Sequence, residues 1–324
     1  MQGDRQESTD ATGHDRSRIV RAAAPAFEPA FNPPFEILEP ASHTSAMVLS
    51  SPHSGSIYPE SFLRASRLDP LTLRRSEDAY VDGLFAGALE AGAPMLRAHF
   101  PRAYLDVNRE PYELDPRMFE GRLPSGSNTR SVRVAGGLGT IARIVGEAQE
   151  IYRERLPVSE ALLRIEHLYR PYHRALRRLI ERSWQQFGLA VLVECHSMPS
   201  SAHLGQSGRP DENHRADFII GDRYGTSCNP QISAWLETWL ENRGYSVRRN
   251  KPYAGGYITE TYGAPAMGVH ALQIEVNRSL YMNEMTLEKH SGFNDVSAVL
   301  SELIRGLDDH IAMQHTTRPA AAAE

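Results

Sequence analysis

The chain has 324 residues, 41% hydrophobic and 23% charged, which is ordinary for a globular protein large enough to bury a core without staples. A formal net charge of -5 removes the basic excess expected of a nucleic-acid partner, and no apolar run approaches the roughly 20 residues of a membrane span. Two cysteines, Cys195 and Cys228, exclude a disulfide framework, and the polar opening MQGDRQESTDATGHDRS has no apolar h-region of a secretory signal, so the expected compartment is the cytoplasm.

Residues 1–24 lack periodicity and are expected to be a disordered tail. The Pro-rich PAFEPAFNPPFEILEP then suits an extended segment draped over the fold. AMVLSSPHSG predicts a short strand entering a polar loop. From Asp78 to Ala91, Leu84, Ala88 and Leu89 fall at helical spacing behind Glu77 and Asp78. APMLRAHF and RAYLDVNRE predict two strands about a turn at Pro101. Residues 110–138, rich in Gly, Pro and Ser, read as a long loop, and such loops inside a compact domain are usually functional.

A helical stretch is expected within 146–187, on Leu162, Ile165, Leu168, Tyr172, Leu176, Leu179 and Ile180, kinked or split at Pro171. Its RALRRLIER run reads as a solvated face. LAVLVECHSM and ADFIIGD predict buried strands, and NPQISAWLETWLENRG an amphipathic helix ending at Gly244. YSVRRNKPY and HALQIEVNRSL predict strands, and Val296, Leu300, Leu303, Leu307 and Ile311 a last helix before a loose tail at 315–324. Alternation of strand and helix with few hairpin signals predicts one α/β domain over 25–314, a central sheet with helices on both faces.

Two histidines stand where apolar strands end: His53 after MVLSSP and His196 after VLVEC. Ligands of open α/β sheets bind beyond the carboxyl ends of strands, so both can face one crevice. Each alone reads more simply as a hydrogen-bonded loop residue, and it is the pair at equivalent strand ends that brings the metal-site reading level. In VLVECH, Leu192, Glu194 and His196 share one face while Cys195 points to the other, which argues against a Cys–His nucleophilic pair. Glu77 and Asp78 offer carboxylates for a metal, or else only acidic residues at a helix start. LQIEVNR puts Gln273, Glu275 and Asn277 on one face, and Glu275 reads as a general base or as half of a buried salt bridge. Arg109 and Arg278 can grip a carboxylate in bidentate fashion or pair with a nearby acid such as Asp106 or Glu275. GGYITETYG brings glycines that let backbone approach a ligand. No G-x-S-x-G occurs, so Ser54 and Ser197 read as loop hydroxyls rather than nucleophiles.

In order along the chain, SPHSG, SEDAYVDGLF, YLDVNRE, ECHSM, GGYITETYGAP and QIEVNRSLYM resemble the N-formylglutamate amidohydrolase family over roughly residues 45–310. The resemblance implies a fold similar to zinc-dependent exopeptidases and cell-wall amidases, a central mixed sheet flanked by helices. It implies hydrolysis of N-formyl-L-glutamate to formate and L-glutamate in histidine degradation, with another N-acyl amino acid or a peptide amide as the alternative substrate. A non-catalytic binding protein on the same fold is the alternative from another class. It further implies that His53, His196 and a SEDAY carboxylate, Asp78 in preference to Glu77, hold zinc or another divalent metal, and that Glu275 matches the catalytic glutamate of related amidases. Asn108 or Arg109 is expected to stabilise the oxyanion, and Arg109, Arg278 and the loop at Gly256 and Tyr257 to hold substrate carboxylates. Glu194 stands where the family pattern suggests an aspartate.

Overall fold

Short apolar runs form the strands β1 (Phe35–Leu38), β2 (Met47–Ser51), β3 (Met95–Ala98), β4 (Ala190–Met198), β5 (Phe218–Gly221), β6 (Val247–Arg249) and β7 (Val269–Asn277) of the computed structural model, which describes residues 27–146, 148–203 and 216–316. Among the described residues these seven make one mixed sheet, ordered β1-β3-β2-β4-β7-β5-β6. β3, β2, β4 and β7 lie parallel at its centre. β1 closes one edge antiparallel to β3, while β5 runs antiparallel to β7 and carries β6 parallel at the other edge. The Pro-rich approach is extended only in part: Pro29–Phe31 form a 3₁₀ turn, and Phe35–Leu38 serve as the edge strand.

Strand alternation divides the core in two. Val48, Leu96, Leu192 and Ala271 face one side, where Tyr172, Leu176 and Leu179 of a long helix cover them. Met47, Leu49, Met95, Val191, Val193, Cys195, Leu272 and Ile274 face the other, beneath Leu236 and Leu300. Both faces are covered, which is why the central strands read as unbroken apolar runs rather than as alternating ones. Cys195 is fully buried on the second side, away from His196.

The helices are α1 (Glu60–Ala65), α2 (Pro70–Arg74), α3 (Val81–Leu84), α4 (Val132–Ala135), α5 (Val158–Arg164), α6 (Arg170–Phe187), α7 (Pro230–Glu241), α8 (Tyr257–Tyr262) and α9 (Gly292–Thr316). None is long and apolar enough to cross a membrane. The helix expected over Asp78–Ala91 is instead α3 followed by a short 3₁₀ turn at Ala86–Ala88. Tyr80 takes φ 66°, a left-handed conformation through which a right-handed helix cannot run, so no helix can start at Asp78. RAYLDVNRE forms turns, not a strand. The Tyr104 and Leu105 amides donate to the Pro101 carbonyl, that of Asp106 to Thr140, and that of Asn108 to the Asp106 carboxylate, so these four are spent on turn and loop bonds rather than on a ladder. Pro171 does not split its helix: a π-turn at Ile165–Tyr169 joins α5 to α6, and its wider coil lies where the proline ring would otherwise crowd the preceding turn. Of the loop expected at Gly256 and Tyr257, Gly256 lies in a loop and Tyr257 opens α8. The expected tail 1–24 lies outside the described residues. Of the tail 315–324, two residues complete α9 and the rest lie outside.

Candidate active site

Four polar residues of the two central strands β4 and β7 gather at one place. β4 and β7 are parallel neighbours in a register that sets Glu275 opposite His196 and Gln273 opposite Glu194. Strand parity puts all four on the face shared by Leu192 and Ala271, toward the carboxyl ends. β2 ends just before His53, whose carbonyl accepts the Asp78 amide at 3.0 Å, so the chain leaving α2 is pinned beside the strand end.

Asp78 Oδ2 lies 2.9 Å from His196 Nδ1 and 3.4 Å from His53 Nδ1. One ligand atom from each of the three residues lies within 4.8 Å of the others, and all three side chains are buried. Each is held from behind. His53 Nε2 meets Asp106 Oδ1 at 2.8 Å. His196 Nε2 faces Asn108 Nδ2 at 3.3 Å and Glu194 Oε1 at 3.4 Å. Asp78 Oδ1 accepts from Arg278 Nη2 at 3.0 Å. Outer partners of this kind fix the tautomer and ring orientation of metal-binding histidines. His53 Nδ1 is buried with no hydrogen-bond partner, and it points toward the Asp78 carboxylate. Two nitrogens, one carboxylate oxygen and an orphaned ring nitrogen among them suit a divalent cation with an open position. Glu77 is elsewhere: Arg74 holds its carboxylate at 3.0 and 3.3 Å, so Asp78 supplies the carboxylate of the group.

The charges divide by environment. Burial disfavours the charged form of Asp78, but the imidazoles of His196 and His53 outweigh it and hold the carboxyl well below its usual range. Burial likewise opposes Asp106, and Arg109, His53 and Arg102 outweigh it there. Burial would lower His196, yet Asp78 and Glu194 lift it to about 10. Glu275 goes the other way: burial raises its carboxyl to about 7, against the pull of His196 and with the push of Asp78. Gln273 Nε2 donates to Glu275 Oε1 at 3.0 Å and orients it.

A cavity of about 500 Å³ opens over the group, and His53, Asp78, Asn108, Arg109, His196, Gly256, Glu275 and Arg278 all reach it. Their freedom differs. Arg278 is committed to Asp78, to the Ser197 hydroxyl and carbonyl and to the Arg75 carbonyl, so it braces a candidate ligand and has no fork to offer a substrate. Asn108 is a strut as well, since its Oδ1 accepts the Ile258 amide at 2.8 Å while its Nδ2 faces His196. Arg109 donates to the Leu138 and Asn108 carbonyls, with Nη2 3.8 Å from Asp106. Tyr257 does not line the cavity; its ring stands edge-on to His173, because the first turn of α8 rotates it toward the core. Sequence reasoning reaches Asp106 only as a partner for Arg109, and misses Arg75, Arg102, Arg133, Gln273 as an orienting group, and Tyr253, all at the cavity. Their one signal is a density of arginines around SEDAY and YLDVNRE.

The family model described as N-formylglutamate amidohydrolase matches residues 45–282, a span that contains every residue of the group. The chain is 31% identical over 242 residues to the N-formylglutamate deformylase of Pseudomonas putida, covering 74% of this chain and 82% of that protein. It is 29% identical over 242 residues to the N-formylglutamate deformylase of Pseudomonas aeruginosa, with the same coverage. The solved structure of N-formylglutamate amidohydrolase from Ralstonia eutropha JMP134 superimposes with a TM-score of 0.81 at 37% identity, covering 87% of this chain and 99% of that one.

Proposed function

The chain belongs to the N-formylglutamate amidohydrolase family, and from that premise we propose that it hydrolyses N-formyl-L-glutamate to formate and L-glutamate at a metal held by His53, Asp78 and His196. Zinc is the metal we favour, because two imidazoles and one carboxylate with an open position form a common catalytic zinc set. Manganese or cobalt suits the same donors. We place the reaction in the cytoplasm, within histidine degradation. The observation that carries the reading is the buried His53/Asp78/His196 group with Glu275 set against His196 on the neighbouring strand.

A divalent ion in that group would acidify a water and polarise the formyl carbonyl. Glu275, raised to about 7, is suited to take a proton from the attacking water. It returns that proton to the amine nitrogen as the C–N bond breaks, so formate and the free amine leave. Asp106, Glu194 and Arg278 keep the three candidate ligands oriented throughout. Arg109 lines the cavity wall with Nη2 3.8 Å from Asp106, and its positive charge would favour a developing oxyanion.

Metal analysis with a turnover assay tests this. The purified protein is expected to carry about one divalent ion per chain and to release formate from N-formyl-L-glutamate faster than from N-acetyl amino acids. His196→Ala should lose both metal and turnover, and full metal content in that variant would remove His196 from the ligand set.

A further inference from the structure

The cavity holds more positive charge than the residues above account for. Arg278 and Arg109 are engaged as described, and Arg102 donates to Asp106 at 2.7 Å. Two other guanidinium groups line the same space. Arg75 caps the C-terminus of α2, three residues before Asp78, and Arg133 lies on α4, inside the 110–138 segment. Among the described residues, neither guanidinium has a hydrogen bond or an ion pair. Arg75 Nε is buried with no partner at all. The two reach the cavity from separate elements: the Arg75 carbonyl holds Arg278 beside Asp78, whereas Arg133 is near enough to Arg109 for the two charges to repel.

Arg75 and Arg133 are half-buried, and a donor such as Arg75 Nε, buried without a partner, carries a cost that a ligand anion would remove. Planar guanidinium groups match carboxylates with two parallel hydrogen bonds. Two such groups, free and on different walls, call for a ligand with two carboxylates, and a cavity of about 500 Å³ is of small-ligand size. We propose that Arg75 and Arg133 are the two carboxylate subsites of this pocket, one for each acid group of a glutamate-like substrate. The assignment rests on the functional reading above for the identity of the substrate. It replaces Arg278, whose donors are spent on Asp78, Ser197 and Arg75. It also gives the 110–138 segment a task, since that segment delivers Arg133.

The test uses Arg75→Gln and Arg133→Gln in the metal-loaded protein, with two readouts. The first is binding of glutarate, a dicarboxylate with no amide to cleave, by calorimetry. Each variant is expected to bind it about 10- to 100-fold more weakly than the parent, the worth of one charge-assisted pair. The second is kinetics on N-formyl-L-glutamate, where the loss should fall on KM more than on kcat, with metal content kept. On N-formyl-L-glutamine, which lacks the side-chain charge, one of the two variants should show little further loss. No glutarate binding by the parent, or unchanged binding in either variant, would overturn the assignment. Arginine-dependent glutarate binding in a protein that leaves N-formyl-L-glutamate intact would sink the functional reading and leave the subsites standing.

Discussion

Glu275 and His196 sit side by side, and their environments push them apart. Asp78 and Glu194 hold a proton on His196 up to about 10, while burial raises Glu275 to about 7. A carboxyl poised near neutrality in a cleft is what general-base work needs. Glu275→Gln should keep the metal and lower kcat by about 10²- to 10⁴-fold, the usual worth of such a base. An active variant would reject the role. The pH dependence follows from the sign of the shift. Glu275 is the base only when deprotonated, so kcat/KM should fall as pH drops through its pKa. A cation beside it favours the carboxylate, which puts the inflection at or below about 7 in the metal-loaded enzyme. Loss of that acid limb in a residually active Glu275→Gln protein would tie it to this residue. At this scale the sequence is half legible. Strand phase shows that Glu194 and His196 share a face and that Cys195 does not. Nothing local tells that Arg278 is spent on Asp78 or that Asn108 bridges His196 to α8, because both depend on contacts between distant segments.

Elements place these groups, and the turns after β3 pack closely against the start of α8. A Cβ on Gly256 would stand 2.4 Å from the Asn108 side-chain amide, well inside contact distance. Gly256 has φ −88°, which any residue adopts, so the need for glycine is one of space alone. Gly256→Ala should therefore displace Asn108, breaking its bonds to the Ile258 amide and His196. The expected cost is about 1–3 kcal/mol of stability from overpacking and about 10- to 100-fold in metal affinity from loss of an orienting partner. Thermal melts and a metal titration read the two separately, and wild-type affinity in a folded variant would rule out the strut. The glycines of GGYITETYG are visible in sequence as sites of close approach, but what approaches is the protein's own Asn108. Long apolar strands and the helices at 170–187, 230–241 and 292–316 are legible from periodicity. The Asp78–Ala91 and RAYLDVNRE segments are not. Their conformation is set by a left-handed Tyr80 and by side-chain-to-backbone bonds from Asp106, which tertiary contacts impose over local preference.

On the scale of the whole molecule, the site is a cost that the sheet carries. Asp78, Asp106, Glu194 and Glu275 are all buried at the carboxyl edge of the strands, in company with two buried imidazoles. Fold class is legible because both sheet faces are covered and the strands read as apolar runs. The convergence of groups as distant in sequence as His53 and Glu275 is not, since it depends on the order of the strands. Buried acids are tolerated when cations compensate them, and Arg102, Arg109 and Arg278 do part of this. Glu194 Oε2 and His53 Nδ1, both buried without a hydrogen-bond partner, show that the polar groups of the site are not all satisfied within the protein. A divalent ion that binds only the folded chain adds about 4 kcal/mol at a thousandfold excess over its Kd. For a domain larger than 250 residues, at about 1.5–2 °C per kcal/mol, that is a rise in Tm of about 6–8 °C. Melts of chelator-treated protein with and without added zinc measure it. His196→Ala supplies the control, because it removes one donor, so in a variant that still melts cooperatively the zinc-dependent rise should collapse. An equal rise in both proteins would mean that zinc binds elsewhere, and the His53/Asp78/His196 group would lose its claim to the metal.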